Sequence, residues 1–156
     1  MRRLLEDWEA GGKQGLCPIP DEPLPPIGTL GFRVQRYGML EWGDLFTARQ
    51  KVALVELGRL VDEVATERNR TGAAFALSKQ SDFNSSLSRW ANHMEKSVAT
   101  FGRQALPMLW DWGEVVPTSL ASGGFQVAIQ WIANAASPDF SHPIVRHRPP
   151  GGVKFM

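Results

Sequence analysis

Apolar residues recur at three- and four-residue steps in one long stretch of the chain: Leu54, Leu57, Val61, Val64 and Ala65 follow Thr47 with helical spacing. This pattern predicts one buried face of an amphipathic helix running from Ala48 to about Glu67. Thr47 and Gln50 have the spacing of a capping box, in which each side chain satisfies the other's free backbone amide. Gly58, on the same face, leaves room for another helix to approach. A polar break is expected over Asn69–Gly72. A second helix is expected from Ala73 to Phe83, with Ala74, Leu77 and Phe75 facing inward. Asn84-Ser85-Ser86 reads as the cap of a further short helix containing Leu87 and Trp90. Ser122-Gly123-Gly124 precedes Phe125, Ala128, Ile129, Trp131 and Ile132, a last helix ending near Ala136.

Between these elements the pattern is broken. Arg2–Ala10 forms a short helix with Leu4, Leu5 and Trp8 on one side, stopped by Gly11-Gly12. CPIPDEPLPPIG carries five prolines in twelve residues. Proline removes backbone donors and disfavours helix at the preceding residue, so residues 13–31 are expected to be extended or turn-like, wrapping over other elements. A short strand is expected around Phe32–Gln35. Pro107 weakens any continuous helix in the apolar run from Leu106 to Val116. The predicted fold class is mainly α: a single helical domain over residues 1–136 with long irregular connections rich in proline and glycine. Residues 137–156 read as an irregular tail.

Composition changes this picture little. The 156 residues suit one domain, and 43% hydrophobic and 21% charged residues are ordinary for a globular chain. A formal charge of +1 exerts no global pull on nucleic acid, so any such binding needs a local cluster. A lone Cys17 excludes an internal disulfide and a cysteine-based metal site. No apolar run suggests a membrane span. Glu6, Asp7 and Glu9 interrupt any signal-peptide core. The expected location is the cytoplasm, without a membrane partner.

Catalytic motifs are largely missing. There is no G-x-S-x-G, phosphate-binding loop, dinucleotide fingerprint or H-E-x-x-H. His142 and His147 lie in a proline-rich basic segment, where two ligands make a poor metal cage. His93 reads as a solvated loop histidine, and Cys17 has no histidine nearby in sequence. Asp111, between Trp110 and Trp112 and close to Glu114, either acts as an acid beside large rings or caps a turn; the turn is the simpler reading. GFRVQRYGMLEWGDLFTARQ interleaves Arg33 and Arg36 with Phe32, Tyr37 and Trp42. NSSLSRW and TFGRQAL set Arg89 and Arg103 beside aromatic and small polar groups. Such arginines can hold phosphate or can bridge backbone carbonyls between irregular segments. Phe32, Tyr37 and Trp42 are expected to pack rather than stack on bases.

Four phrases in order, PDEPLPPIGTLGFRVQRYGMLEWGDLFTARQ, NSSLSRW, TFGRQALPMLWDWGEV and SGGFQVAIQWI, make residues 18–135 resemble the middle portion of the large adenine-specific DNA methylases with an internal zinc ribbon. The resemblance implies an S-adenosylmethionine-dependent DNA adenine N6-methyltransferase of restriction or phage-defence loci. In such enzymes the cofactor loop lies upstream of this region and a D-P-P-Y-type catalytic motif downstream. Neither occurs here; Pro20-Asp21 and Pro138-Asp139 run in the wrong order, and the zinc-ribbon cysteines are missing apart from Cys17. After Ala136 the tail departs from the family. The expectation is a middle segment or split subunit without catalytic residues or cofactor site of its own. It would contribute DNA contact through Arg33, Arg36, Arg89 and Arg103, or docking to the remaining methyltransferase domains in cis or trans. A protein–protein module that completes a separately encoded methyltransferase, marked by an exposed tryptophan-rich patch, is the competing expectation, and a truncated gene remnant a third.

Overall fold

The computed structural model describes residues 1–13 and 17–136. The tail expected over residues 137–156, with His142 and His147, lies outside the described residues. The architecture is mainly α. Helices α1 (Arg2–Ala10), α2 (Ala48–Val64), α3 (Glu67–Phe83) and α4 (Phe125–Ala136) are accompanied by a two-stranded hairpin, β1 (Arg89–Ala91) and β2 (Lys96–Val98). No helix among the described residues is long and apolar enough to cross a membrane.

The capping box at the start of α2 forms as its spacing predicts. The Thr47 amide donates to Gln50 Oε1 at 2.8 Å, and the Gln50 amide donates to Thr47 Oγ1 at 3.3 Å. The other end of α2 corrects the sequence reading. It stops at Val64, and α3 begins at Glu67 after only Ala65 and Thr66, so the polar stretch Asn69–Gly72 is helical. Thr66 initiates the new helix, with its hydroxyl donating to Asn69 Oδ1 at 3.1 Å. Polar residues there cost nothing, because they face solvent on the first turn; Gly72 faces α4, where an added Cβ would sit 3.5 Å from Ile132. A two-residue joint makes α2 and α3 antiparallel neighbours. Gly58 meets α3 at Leu77, where an added Cβ would lie 3.5 Å away. On α3 the inward positions are Ala76 and Gln80, whereas Ala74 and Phe75 are exposed, contrary to the inward face expected for them, and Val64, expected on the buried face of α2, is exposed at its end. Helix α3 lies in the middle of the trio and packs against both α2 and α4.

The most deeply buried apolar cluster sits outside the helices. It consists of Leu24, Val34, Leu45, Leu87 and Leu106, with Phe32, Met39, Trp42, Phe46, Met108 and Leu109 packed around it. None of these lies in an α-helix or a strand: Val34 opens the 3-10 turn Val34–Tyr37, Trp42 and Leu45 bound a second 3-10 turn, and the rest come from irregular segments. The proline-rich stretch wraps this core by a pattern its prolines permit. Gly43 and Trp42 amides donate to the Pro20 and Glu22 carbonyls at 2.9 and 3.0 Å, and the Leu24 amide donates to Leu40 at 2.7 Å. Pro20, without an N–H, serves as an acceptor here, as Pro25 does for Gln35 Nε2 at 2.8 Å. The strand expected at Phe32–Gln35 is instead a 3-10 turn over Val34–Tyr37, leaving Phe32 in a single bridge to Leu106. Val34 and Gln35 are both buried in this turn, which a strand alternating between faces would not achieve.

The helix expected around Leu87 and Trp90 does not form either. Ser85 Oγ does accept from the Leu87 amide at 3.0 Å, as a cap would, but it also bonds Thr100 Oγ1 at 2.7 Å. Ser88 Oγ lies 3.0 Å from the carbonyl oxygens of both Phe83 and Val98, between which its single proton is shared. These side-chain bonds replace helical backbone bonds and pull residues 96–100 alongside. The chain then pairs as an antiparallel hairpin with Trp90 opposite Ser97.

Candidate nucleic-acid interface

The irregular half brings the four candidate arginines near the two ends of one irregular segment. From Leu106 to Gly113 this segment is fastened at both ends. At the first, the Leu106 amide donates to the Gly31 carbonyl at 2.9 Å, and the Arg33 amide donates to the Leu106 carbonyl at 3.2 Å. At the second, the Gly113 amide donates to the Ser88 carbonyl at 3.2 Å, directly before Arg89. Both anchor points exploit glycine. Gly31 has φ +86°, and a Cβ there would lie 2.6 Å from the Gln104 carbonyl oxygen. A Cβ on Gly113 would lie 2.9 Å from Ser97 Oγ and 3.1 Å from the Trp90 ring.

Arg33 and Arg36 flank the first anchor, Arg103 precedes it by three residues, and Arg89 stands beside the second. All four are exposed. Among the described residues none of their guanidinium groups is paired with a carboxylate or donates to a carbonyl, so the structural bridging open to Arg89 and Arg103 is not what they do here. Of the other described arginines, Arg2, Arg3 and Arg68 on the helices are likewise exposed and unpaired, and three are held by carboxylates. Arg49 pairs with Glu114 at 2.7 Å, Arg70 with Asp62, and Arg59 with both Glu56 and Glu63. The hydrogen bond and charge of Glu56, joined by the charge of Glu63, raise the Arg59 pKa above its ordinary value.

The aromatic residues divide. Phe32 and Trp42 pack on the core cluster, in edge-to-face contact at 6.5 Å, as expected. Tyr37, expected to pack with them, is 52% exposed and meets Trp110 with ring centroids 5.4 Å apart and planes at 89°. Trp110 is itself 81% exposed, and Trp90 beside the second anchor is 46% exposed. Sequence reasoning missed Trp110 and Tyr37 as surface residues. The available signal was the polar environment of each: Arg36 and Gly38 around the tyrosine, Asp111 after the tryptophan.

The acid chemistry considered for Asp111 finds no support. Its side chain is exposed, not enclosed between Trp110 and Trp112. Glu114 is engaged as a clamp, accepting from Arg49 Nη2 at 2.7 Å and from Thr47 Oγ1 at 3.3 Å, which ties the chain just after that segment to the start of α2. His93 is exposed in the hairpin turn, and Cys17 is half-buried. No group of three or more potential ligands that could hold a metal occurs among the described residues.

A second surface is apolar. Helix α4 carries no charged residue, and Ile129 and Trp131 are exposed on it, the latter at 64%. A groove of about 510 Å³ runs between α2 and α4 over α3, lined by Leu57, Leu60, Val61, Phe125, Ile129 and Ile132. A larger groove of about 1020 Å³ lies on the other side of the α2–α3 pair, lined by Trp42, Phe46, Leu54, Leu77 and Phe101 among others. A scan against protein-family models finds no match, and searches of curated proteins and of solved structures return no similar chain.

Proposed function

We propose that the chain is a non-catalytic module of an adenine-specific DNA methylase system. In this reading it contacts DNA while the S-adenosylmethionine site and the D-P-P-Y-type motif reside on another domain or subunit. The observation that carries the reading is the state of four arginines. Arg33, Arg36, Arg89 and Arg103 are exposed without carboxylate partners near the two ends of one anchored segment; Arg2, Arg3 and Arg68 are also unpaired but lie on the helices, and Arg49, Arg59 and Arg70 are held in ion pairs. Free guanidinium groups exchange condensed counterions for phosphate contact, which gives binding a steep salt dependence. The likeness of residues 18–135 to the middle region of such methylases supports the same assignment.

The test is a DNA titration over a salt series with the wild-type chain and with all four arginines changed to alanine. Four phosphate contacts on duplex DNA give a log–log salt slope of about −3.6. The quadruple variant flattens it; an unchanged slope removes these residues from the interface. The isolated chain should transfer no methyl group from radiolabelled S-adenosylmethionine to DNA, and labelled product would refute the non-catalytic assignment.

The groove between α2 and α4 favours a second reading, a docking module for a separately encoded methyltransferase. A helix apolar on nearly all sides is ordinarily covered. Co-expression with a neighbouring frame that encodes a D-P-P-Y-type motif, compared with the Ile129→Lys variant, tests it. Loss of the complex in the variant supports docking, and a complex indifferent to that change, or none at all, rejects it.

A further inference from the structure

Resting on the DNA-contact reading, we infer that Tyr37 and Trp110 form a stacking platform for unpaired bases, so that this face takes single-stranded nucleic acid in preference to duplex. The inference starts from the exposure of Trp110, 81% for the largest side chain available. A ring that served only to fill space would be covered. Its aromatic neighbour among the described residues, Tyr37, meets it with planes at 89°. Perpendicular packing covers at most one face of either ring, so the pair stays open to a flat ligand.

A base-stacking ring also has to be held in place. Trp110 lies within a seven-residue step, at most about 25 Å long when extended, whose ends are fastened at Leu106 and Gly113. Tyr37 closes the 3-10 turn whose interior is Val34, a fully buried core residue. The next residue, Gly38, adopts φ +90°, and the Gly38 and Met39 amides donate back to Gln35 and Val34 at 3.1 and 3.4 Å. Both rings therefore stand on anchored backbone.

Cations accompany the rings. Arg36 is in the same turn as Tyr37, and Arg33 donates its amide to Leu106, four residues before Trp110. Guanidinium groups carried on the same backbone as exposed rings suit a strand whose phosphates and bases are both reachable. In a duplex the bases stack on one another and offer no face to a protein ring, so Trp110 has nothing to gain there. One group opposes the assignment: Asp111, exposed beside Trp110, repels phosphate.

The experiment is fluorescence anisotropy of the full chain with a labelled thymidine oligonucleotide of about 15 nucleotides and with a duplex of equal length. Wild-type protein should prefer the strand. Trp110→Ala should weaken strand binding about 5- to 150-fold and leave duplex binding unchanged, the range that loss of one stacked base gives. Trp110→Phe should retain most of the affinity, and Asp111→Asn should tighten it. Circular dichroism of each variant establishes that the fold is intact, which the exposure of Trp110 favours. Equal strand affinity for wild type and Trp110→Ala, or a wild-type preference for duplex, overturns the platform while leaving the arginine contacts standing. Failure to bind either nucleic acid overturns the platform and the DNA-contact reading together.

Discussion

Replacing Gly31 by alanine tests the joint on which the candidate interface is built. Two separate penalties arise. The backbone at Gly31 has φ +86°, a conformation that costs a residue with a Cβ roughly 1–2 kcal/mol. The new methyl would also lie 2.6 Å from the Gln104 carbonyl oxygen and 3.1 Å from Ala105 Cα, distances that backbone atoms cannot yield without moving. Moving them breaks or stretches two hydrogen bonds, Leu106 to Gly31 and Arg33 to Leu106, each worth about 0.5–1.5 kcal/mol. Together the loss is roughly 2–5 kcal/mol, a large part of the total stability of a typical domain. Gly38→Ala is the control, since Gly38 has φ +90° but nothing within 4 Å of the added methyl. It should lose only the backbone share, about 1–2 kcal/mol. Urea denaturation of both variants measures the difference. Should Gly31→Ala prove no more damaging than Gly38→Ala, the tight seating of residues 104–106 on Gly31 is wrong. The reasoning that groups Arg33 with Arg103 would then fall with it.

Other substitutions separate the remaining contributions. Thr47→Ala removes the acceptor for the Gln50 amide and one half of the capping box, and should cost about 1 kcal/mol in the same urea assay. Both amide atoms of Gln80 are buried without a protein partner, so Gln80→Met, similar in size, should be neutral or stabilising by about 1–3 kcal/mol; a clear loss would mean the amide is satisfied in solution. A methyl on Gly124 would collide with the Ser119 carbonyl oxygen, so Gly124→Ala should disturb the entry to α4 and cost more than about 2 kcal/mol by thermal melting. Arg49→Ala breaks an ion pair whose arginine side chain is 82% exposed, and should change stability by no more than about 1 kcal/mol.

The distribution of burial explains why the two candidate surfaces belong to different parts of the molecule. The irregular half owns the fully buried leucines and valine, which frees its arginines and two of its rings to face outward. The helical trio has little beyond Ala76, Ala128 and the glutamines Gln50 and Gln80 fully buried, and it leaves Val64, Phe75 and Trp131 exposed. Apolar helix surface left in water on this scale is what a covering partner would use.

Local chemistry was readable from the chain itself. The capping box at Thr47, the helical period of α2, the glycine at the helix contact and the start of α4 after Gly123-Gly124 each depend on residues within a few positions of one another. The prolines likewise announced an extended wrap, because the missing N–H is a property of the residue alone. What needed the tertiary structure was every feature set by a distant partner. The hairpin at Arg89–Val98 replaces a helix because Ser85 and Ser88 find Thr100 and Val98 across the loop. The core formed among loops because Val34 meets Leu106, seventy-two positions further along the chain. Whether Tyr37 packs or stands open was decided by where the Trp110 segment crosses it. Periodicity encodes which side of an element is apolar; it carries no record of which other segment arrives to cover that side, and burial is a property of the pair.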